Sequence, residues 1–188
     1  PDIHAQSVKV AVTVRNTTPS EATVGLTVKA SQHGADAAES TAAIQAPQGL
    51  SRHDVWLAFN EGMALWDEFD PALYSVSVRL EAGPFSDERA LLTGMREFGV
   101  KGTQFHLNGR TVFLRGAVEG SIFPLTGHSE MREDEWKRIL SVCKDHGLNH
   151  IRYHSNCPPE AAFAAADELG ILIQAENTLW YDPNFGAK

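Results

Sequence analysis

The sequence predicts two fold classes in succession: an all-β sandwich of antiparallel strands over residues 1–103, then alternating strands and helices over residues 104–188. Three observations carry this expectation. Apolar and polar residues alternate through the first half. An Asn-Gly pair, Asn108-Gly109, marks a tight turn near the middle. After it the apolar spacing becomes helical between short strand-like runs.

Taken in order, Val8, Val10, Val12 and Val14 share one face of a strand, and Val24, Leu26 and Val28 repeat the pattern. Val55, Leu57 and Phe59 follow, and then Tyr74, Val76, Val78 and Leu80. Period two with polar residues between describes strands buried on one face only. Asn16 to Ser20 reads as the turn between the first two strands, and the small, polar stretch Ser31–Thr41 as an exposed connection. About seven short strands before residue 100, with no helical period among them, suit an immunoglobulin-like sandwich.

The second half is read differently. Gln104 to Leu107 and the residues after Gly109 form a hairpin, because Asn-Gly tolerates the positive φ angles of a type I′ turn. The strand Val112-Phe113-Leu114-Arg115 ends at Gly116 and opens the new pattern. Trp136, Ile139, Leu140 and Cys143 give one buried helical face, with Glu133, Asp134 and Glu135 in the first turn and Gly147 just past the end. A strand Asn149–His154 comes next. Pro158-Pro159 opens a second helix with Ala162, Phe163, Ala166 and Leu169 on its buried face, Gly170 ends it, and Ile171–Ala175 is a strand. Short strand–helix–strand links imply parallel βαβ units, so the switch from antiparallel to parallel pairing is expected close to Gln104.

Composition sets outer limits. The 188 residues are 43% hydrophobic, with 16 Lys+Arg against 24 Asp+Glu and a formal net charge of −8. On average such a chain repels nucleic acid and anionic membrane, so neither is expected as a partner. No apolar run is long enough to span a bilayer. The opening Pro-Asp-Ile-His has no leader character and reads as a cut inside a longer chain. Two cysteines, Cys143 and Cys157, are too few for a disulfide framework and leave the compartment unconstrained; Cys143 reads as a small core residue. The histidines are scattered without ligand spacing, so no metal and no cofactor is expected.

Leu65-Trp66-Asp67 followed by Asp70-Pro71-Ala72-Leu73-Tyr74 resembles the Leu-Trp…Pro-x-Leu-Tyr stretch in the sandwich of family 2 glycoside hydrolases, the β-galactosidases, β-glucuronidases and β-mannosidases. Phe98-Gly99-Val100, Leu107-Asn108-Gly109-Arg110 and Val112-Phe113-Leu114-Arg115-Gly116 are similar to the signature of that family's crossing from sandwich to barrel. Pro124-Leu125-Thr126-Gly127 resembles the loop after the first barrel strand, Asn149-His150-Ile151-Arg152 its Asn-x-Val/Ile-Arg on the second, and Asp167-Glu168-Leu169-Gly170-Ile171 the run before the third. The likeness runs over roughly residues 5–180 in the family's order. It departs at Ala117-Val118-Glu119, where the family carries Asn, and at Gln174-Ala175-Glu176-Asn177, where the acid is displaced by one position.

The resemblance implies an internal fragment: an immunoglobulin-like domain at 1–103 and the first three strands and two helices of an incomplete (β/α)8 TIM barrel at 104–188. It implies a retaining β-glycosidase parent acting on carbohydrate. The acid/base of that family is the Glu of an Asn-Glu pair after the fourth barrel strand, and its nucleophile lies later still. No catalytic residue is therefore expected here, and Asn60-Glu61 reads as a turn. Apolar faces prepared for missing barrel strands would be exposed, which makes self-association an expectation.

Substrate-binding candidates cluster near the C-terminal ends of the parallel strands, where barrels carry their chemistry. Arg152 matches the family's second-strand Arg, with a structural salt bridge as the alternative. His154 could bind a sugar hydroxyl or be a satisfied interior histidine. Glu176 could accept hydrogen bonds from sugar hydroxyls or pair with Arg152, and Asn177 adjoins it. Glu119 is a site acid or a solvated loop charge. Trp180 is a stacking platform or a buried tryptophan. Beside the glycosidase parent stand two other readings: a non-catalytic carbohydrate-binding or structural sandwich module, and a different barrel enzyme with an immunoglobulin-like partner domain.

Overall fold

The structure, a computed structural model, describes residues 1–59 and 62–177. The chain forms two compact units: residues 1–66, 72–101 and 106–110 make the first, and residues 67–71, 102–105 and 111–188 the second.

In the first unit, β1 (Ser7–Asn16) pairs antiparallel with β4 (Gly49–Ala58) as a two-stranded sheet. A four-stranded antiparallel sheet runs β3-β2-β5-β6, from β2 (Ala22–Gln32), β3 (Ala35–Ala46), β5 (Leu73–Ala82) and β6 (Phe85–Gly94). The alternating valines do what their period requires. Val12 and Val14 of β1, Val55 and Leu57 of β4, Leu26 and Val28 of β2, and Tyr74 and Val76 of β5 are buried in one cluster shared by both sheets. Each such side chain contributes about 1.5–3 kcal/mol by leaving water. Phe59 meets Tyr74 edge to face, with ring centroids 5.1 Å apart.

One sequence expectation fails in this unit. Ser31–Thr41 is no exposed connection: β2 and β3 form a continuous hairpin through it, turning at His33 and Gly34, whose φ angles are 51° and 81°. Two positive φ values in succession are the signature of the tight turn that matches strand twist. β6 gave no alternation because it is the edge of its sheet and almost wholly exposed.

β7 (Phe98–Lys101), β8 (Gln104–Leu107) and β9 (Arg110–Val112) follow as a small three-stranded sheet in chain order. The turn between β8 and β9 is the expected one, with φ of 52° at Asn108 and 77° at Gly109.

The second unit carries a three-stranded parallel sheet, β10-β11-β12, from β10 (Gly116–Glu119), β11 (His150–Tyr153) and β12 (Leu172–Ala175). Helix α1 (Glu133–Asp145) lies between the first two in sequence and α2 (Glu160–Leu169) between the last two. Trp136 and Leu140 of α1 and Ala162, Ala165 and Ala166 of α2 pack with Ile151, Tyr153 and Ile171 into one core. Gly147 (φ 77°) follows the end of α1, and Gly170 (φ 71°) caps α2 in the left-handed conformation.

Three boundaries shift here. Val112–Arg115 is not the first parallel strand: β9 ends at Val112, and the parallel sheet begins at Gly116, later than the Gln104 switch that the sequence suggested. A Cβ on residue 116 would crowd His150 Nδ1 and come within 3.0 Å of the His150 backbone oxygen, so glycine there lets β10 lie close against β11. Pro159 is the N-cap of α2 rather than part of its first turn. Phe163 is 37% exposed, and the alanines carry the buried face of α2 instead.

Candidate functional site

The parallel register decides which side chains meet. Val118, Arg152 and Gln174 are register partners, and so are Glu119, Tyr153 and Ala175. Side chains of neighbouring residues on a strand point to opposite faces. Ile151 and Tyr153 belong to the core formed with the helices, which leaves Arg152 on the other face of the sheet.

At the C-terminal edge, Arg152 Nε lies 2.5 Å from Glu176 Oε1. The Ser155 backbone N–H donates to Glu176 Oε2 at 2.8 Å, and the Glu176 N–H donates to the Asn156 carbonyl at 3.0 Å. Glu176 therefore clasps the loop that leaves β11, where Ser155 sits at a φ of 53°. The Arg152 hydrogen bond, reinforced by the Ser155 N–H and the charges of Arg152 and His154, holds the Glu176 carboxyl below its usual range. His154 is exposed, and its N–H donates to the Glu119 carbonyl at 2.9 Å. Arg152, His154 and Glu176 are thus brought together, and exposed Asn177 follows directly.

Glu119 is placed differently. Its Oε1 accepts the Ser121 N–H at 2.7 Å, fixing the turn after β10, and its buried Oε2 has no hydrogen-bond partner among the described residues. Its register partner Tyr153 is fully buried, and that hydroxyl likewise has no hydrogen-bond partner among the described residues. Burial, and then the Glu119 charge, push the Tyr153 phenol up. The Glu119 carboxyl belongs to this face and not to the Arg152–Glu176 clasp. Trp180 and the Asn60-Glu61 pair lie outside the described residues.

The sequence reading missed Asn149. It is 1% exposed, its Oδ1 accepts the Arg115 N–H at 2.8 Å, and its Nδ2 donates to the Phe113 carbonyl at 3.0 Å. The Asn149 backbone adds a bond to the Arg115 carbonyl (3.0 Å) and accepts one from the Leu172 N–H (2.8 Å). One side chain therefore stitches the entry to β10 onto β11. An asparagine just before an apolar strand was the available signal. Cys143 has its thiol pushed up by burial, which suits an inert core position. Among the described residues no three His, Cys, Asp or Glu side chains gather as a metal site.

Chemically, the edge offers a fixed, ionised carboxylate and a guanidinium: hydrogen-bonding groups for a polyhydroxylated ligand. Both Glu176 oxygens are engaged, so it is an acceptor and not a proton donor.

Comparison with known proteins places these features. The sequence model of the glycosyl hydrolases family 2 matches residues 1–96 of the 188. A β-galactosidase of Thermoanaerobacterium thermosulfurigenes is 34% identical over 117 residues, covering 62% of this chain and 16% of that protein. A family 2 glycosyl hydrolase structure from Bacteroides cellulosilyticus superimposes with a TM-score of 0.81 at 23% identity, over 92% of this chain and 24% of the other. A Bacteroides uniformis β-glucuronidase structure gives 0.77 at 23% identity, over 96% and 23%. The chain thus spans about a sixth to a quarter of each of these three proteins.

Proposed function

This chain belongs to the glycosyl hydrolases family 2, and we propose that it is part of a retaining β-glycosidase. In this reading residues 1–103 are an immunoglobulin-like sandwich and residues 104–188 open a (β/α)8 barrel. The carrying observation is the parallel order β10-β11-β12 with Arg152 and Glu176 clasped at its C-terminal edge. That edge is where barrel enzymes hold their substrates. The names of the β-galactosidase relative and the β-glucuronidase neighbour support a β-linked glycoside as substrate.

Arg152, His154, Glu176 and Asn177 line the sugar site as binding and positioning groups. Glu119 shapes the loop after β10 from the opposite face of the sheet. Retaining chemistry needs two carboxyl groups about 5–5.5 Å apart, one acid/base and one nucleophile. In the family reading that pair stands on the fourth and later barrel strands of the parent protein. The 188-residue chain by itself does not hydrolyse glycosides.

The test is an assay of the parent protein and of this chain on aryl β-galactosides and β-glucuronides, with the product anomer followed by NMR. Turnover by the parent with retained configuration, none by the chain, and a weakened parent on Arg152→Ala is the expected result. A parent that turns over no glycoside, or inverts the anomeric centre, contradicts the reading.

A further inference from the structure

The outward face of the β1–β4 sheet carries a tryptophan that the core does not use. Trp66 and Trp136 are buried, whereas Trp56 is 57% exposed in the middle of a regular strand. An exposed indole of this size forgoes the burial that makes tryptophan worth placing in a sheet. Its surroundings are ordered by the register. Lys9 stands directly opposite it, Asp54 and Arg52 follow along β4, and Arg15 closes the row opposite Leu50. Asp54 is bridged by Lys9 Nζ at 3.2 Å and Arg52 Nε at 3.5 Å. Small residues, Ala11 and Ala58, lie beside the indole on the same face, so little side-chain bulk rises next to the ring.

The charge on this face opposes that of the molecule. Three cations and one carboxylate leave a local excess of two positive charges on a chain whose net charge is −8. A flat aromatic surface takes the apolar face of a sugar ring, and cations beside it take carboxylates. Trp56 and Arg52 are four residues apart on one strand, about 14 Å, a span that suits an oligosaccharide better than a single sugar.

We propose that this face binds an acidic polysaccharide, a chain of uronic acid units, with one ring stacked on Trp56 and neighbouring carboxylates held by Arg52 and Arg15. The ligand class rests on the carbohydrate-acting reading above, but the face is independent of the Arg152–Glu176 edge. It gives the sandwich a role in holding substrate polymer.

The experiment is calorimetric titration of the 188-residue chain with oligogalacturonate, neutral cello-oligosaccharide and inorganic polyphosphate. Variants are Trp56→Ala, Trp56→Phe, the double variant Arg15→Ala/Arg52→Ala, and Arg89→Ala on β6, each checked for an unchanged melting temperature. The proposal expects oligogalacturonate to bind more tightly than the other two. It expects a loss of about tenfold or more in Trp56→Ala and in the double variant, retention in Trp56→Phe, and no change in Arg89→Ala, which removes a cation from the other sheet. No binding by the unsubstituted 188-residue chain, equal binding of polyphosphate, or indifference to Trp56→Ala overturns it. An equal loss in Arg89→Ala would make the binding a general charge effect and also overturns it. An inactive parent protein with Trp56-dependent binding intact would sink the glycosidase reading and leave this one standing.

Discussion

Arg152 and Glu176 reach across two adjacent parallel strands, with Nε 2.5 Å from Oε1, and the second carboxylate oxygen holds the Ser155 N–H at 2.8 Å. One side chain thereby joins the end of β12 to the loop leaving β11. Because the pair is partly exposed to solvent, its worth lies in geometry more than in stability.

The clasp depends on pH in a definite direction. The folded Glu176 carboxyl titrates below its ordinary value of 4.5, so the clasp is complete above that value and lost as pH falls through the lowered one. Hydrogen exchange at the Ser155 amide is expected to accelerate over that acid range. Arg152→Ala is expected to move the Glu176 titration, followed by carboxyl NMR, back toward 4.5.

Gly116→Ala tests the close approach of β10 to β11 at its first residue. The new Cβ meets His150 Nδ1 at 2.4 Å and the backbone oxygen at 3.0 Å. A loss of about 1–3 kcal/mol in urea unfolding is expected, with partial recovery when His150→Ala removes the nearer atom.

Asn149→Ala removes both bonds that stitch the entry to β10 onto β11 and leaves the Arg115 N–H and Phe113 carbonyl without them. The two partners sit on exposed residues, so the loss is that of two hydrogen bonds, about 1–3 kcal/mol. Asn149→Asp keeps the acceptor and loses the donor, and chemical denaturation should place it between the two.

Apolar side chains on the second unit, among them Phe113, Val118, Ile122 and Leu125, face solvent, with Leu125 98% exposed. We expect the 188-residue chain to self-associate, with sedimentation velocity showing a concentration-dependent shift. The Val118→Asp variant should reduce that shift without altering the melting of the first unit. A strict monomer at all concentrations would contradict this expectation.

The legible parts of the fold were those whose side chains record their environment. The valines of β1 and the Val24–Val28 run sit half in a core and half in water, and period two follows. The strand at Ala35–Ala46 was missed because its many alanines differ little between the two faces, and β6 because an exposed edge has no buried face to record. Arg152 and Glu176 were legible as neighbours, since strand parity alone brings them to one side. Glu119 was not. With the first parallel strand read as Val112–Arg115, it lay beyond a strand end, whereas β10 places it on the face of Tyr153.

By itself the sequence determined the alternation, the Asn108-Gly109 turn, the change from antiparallel strands to strands linked by helices, and the family to which those features belong. Tertiary structure alone decided that β10 starts at Gly116, that the Glu119 carboxyl turns away from Arg152, and that Trp56 stands in water. The physical reason is that periodicity is a property of one strand. The face on which a side chain works depends on its register with the next, and a slip of one residue reverses it.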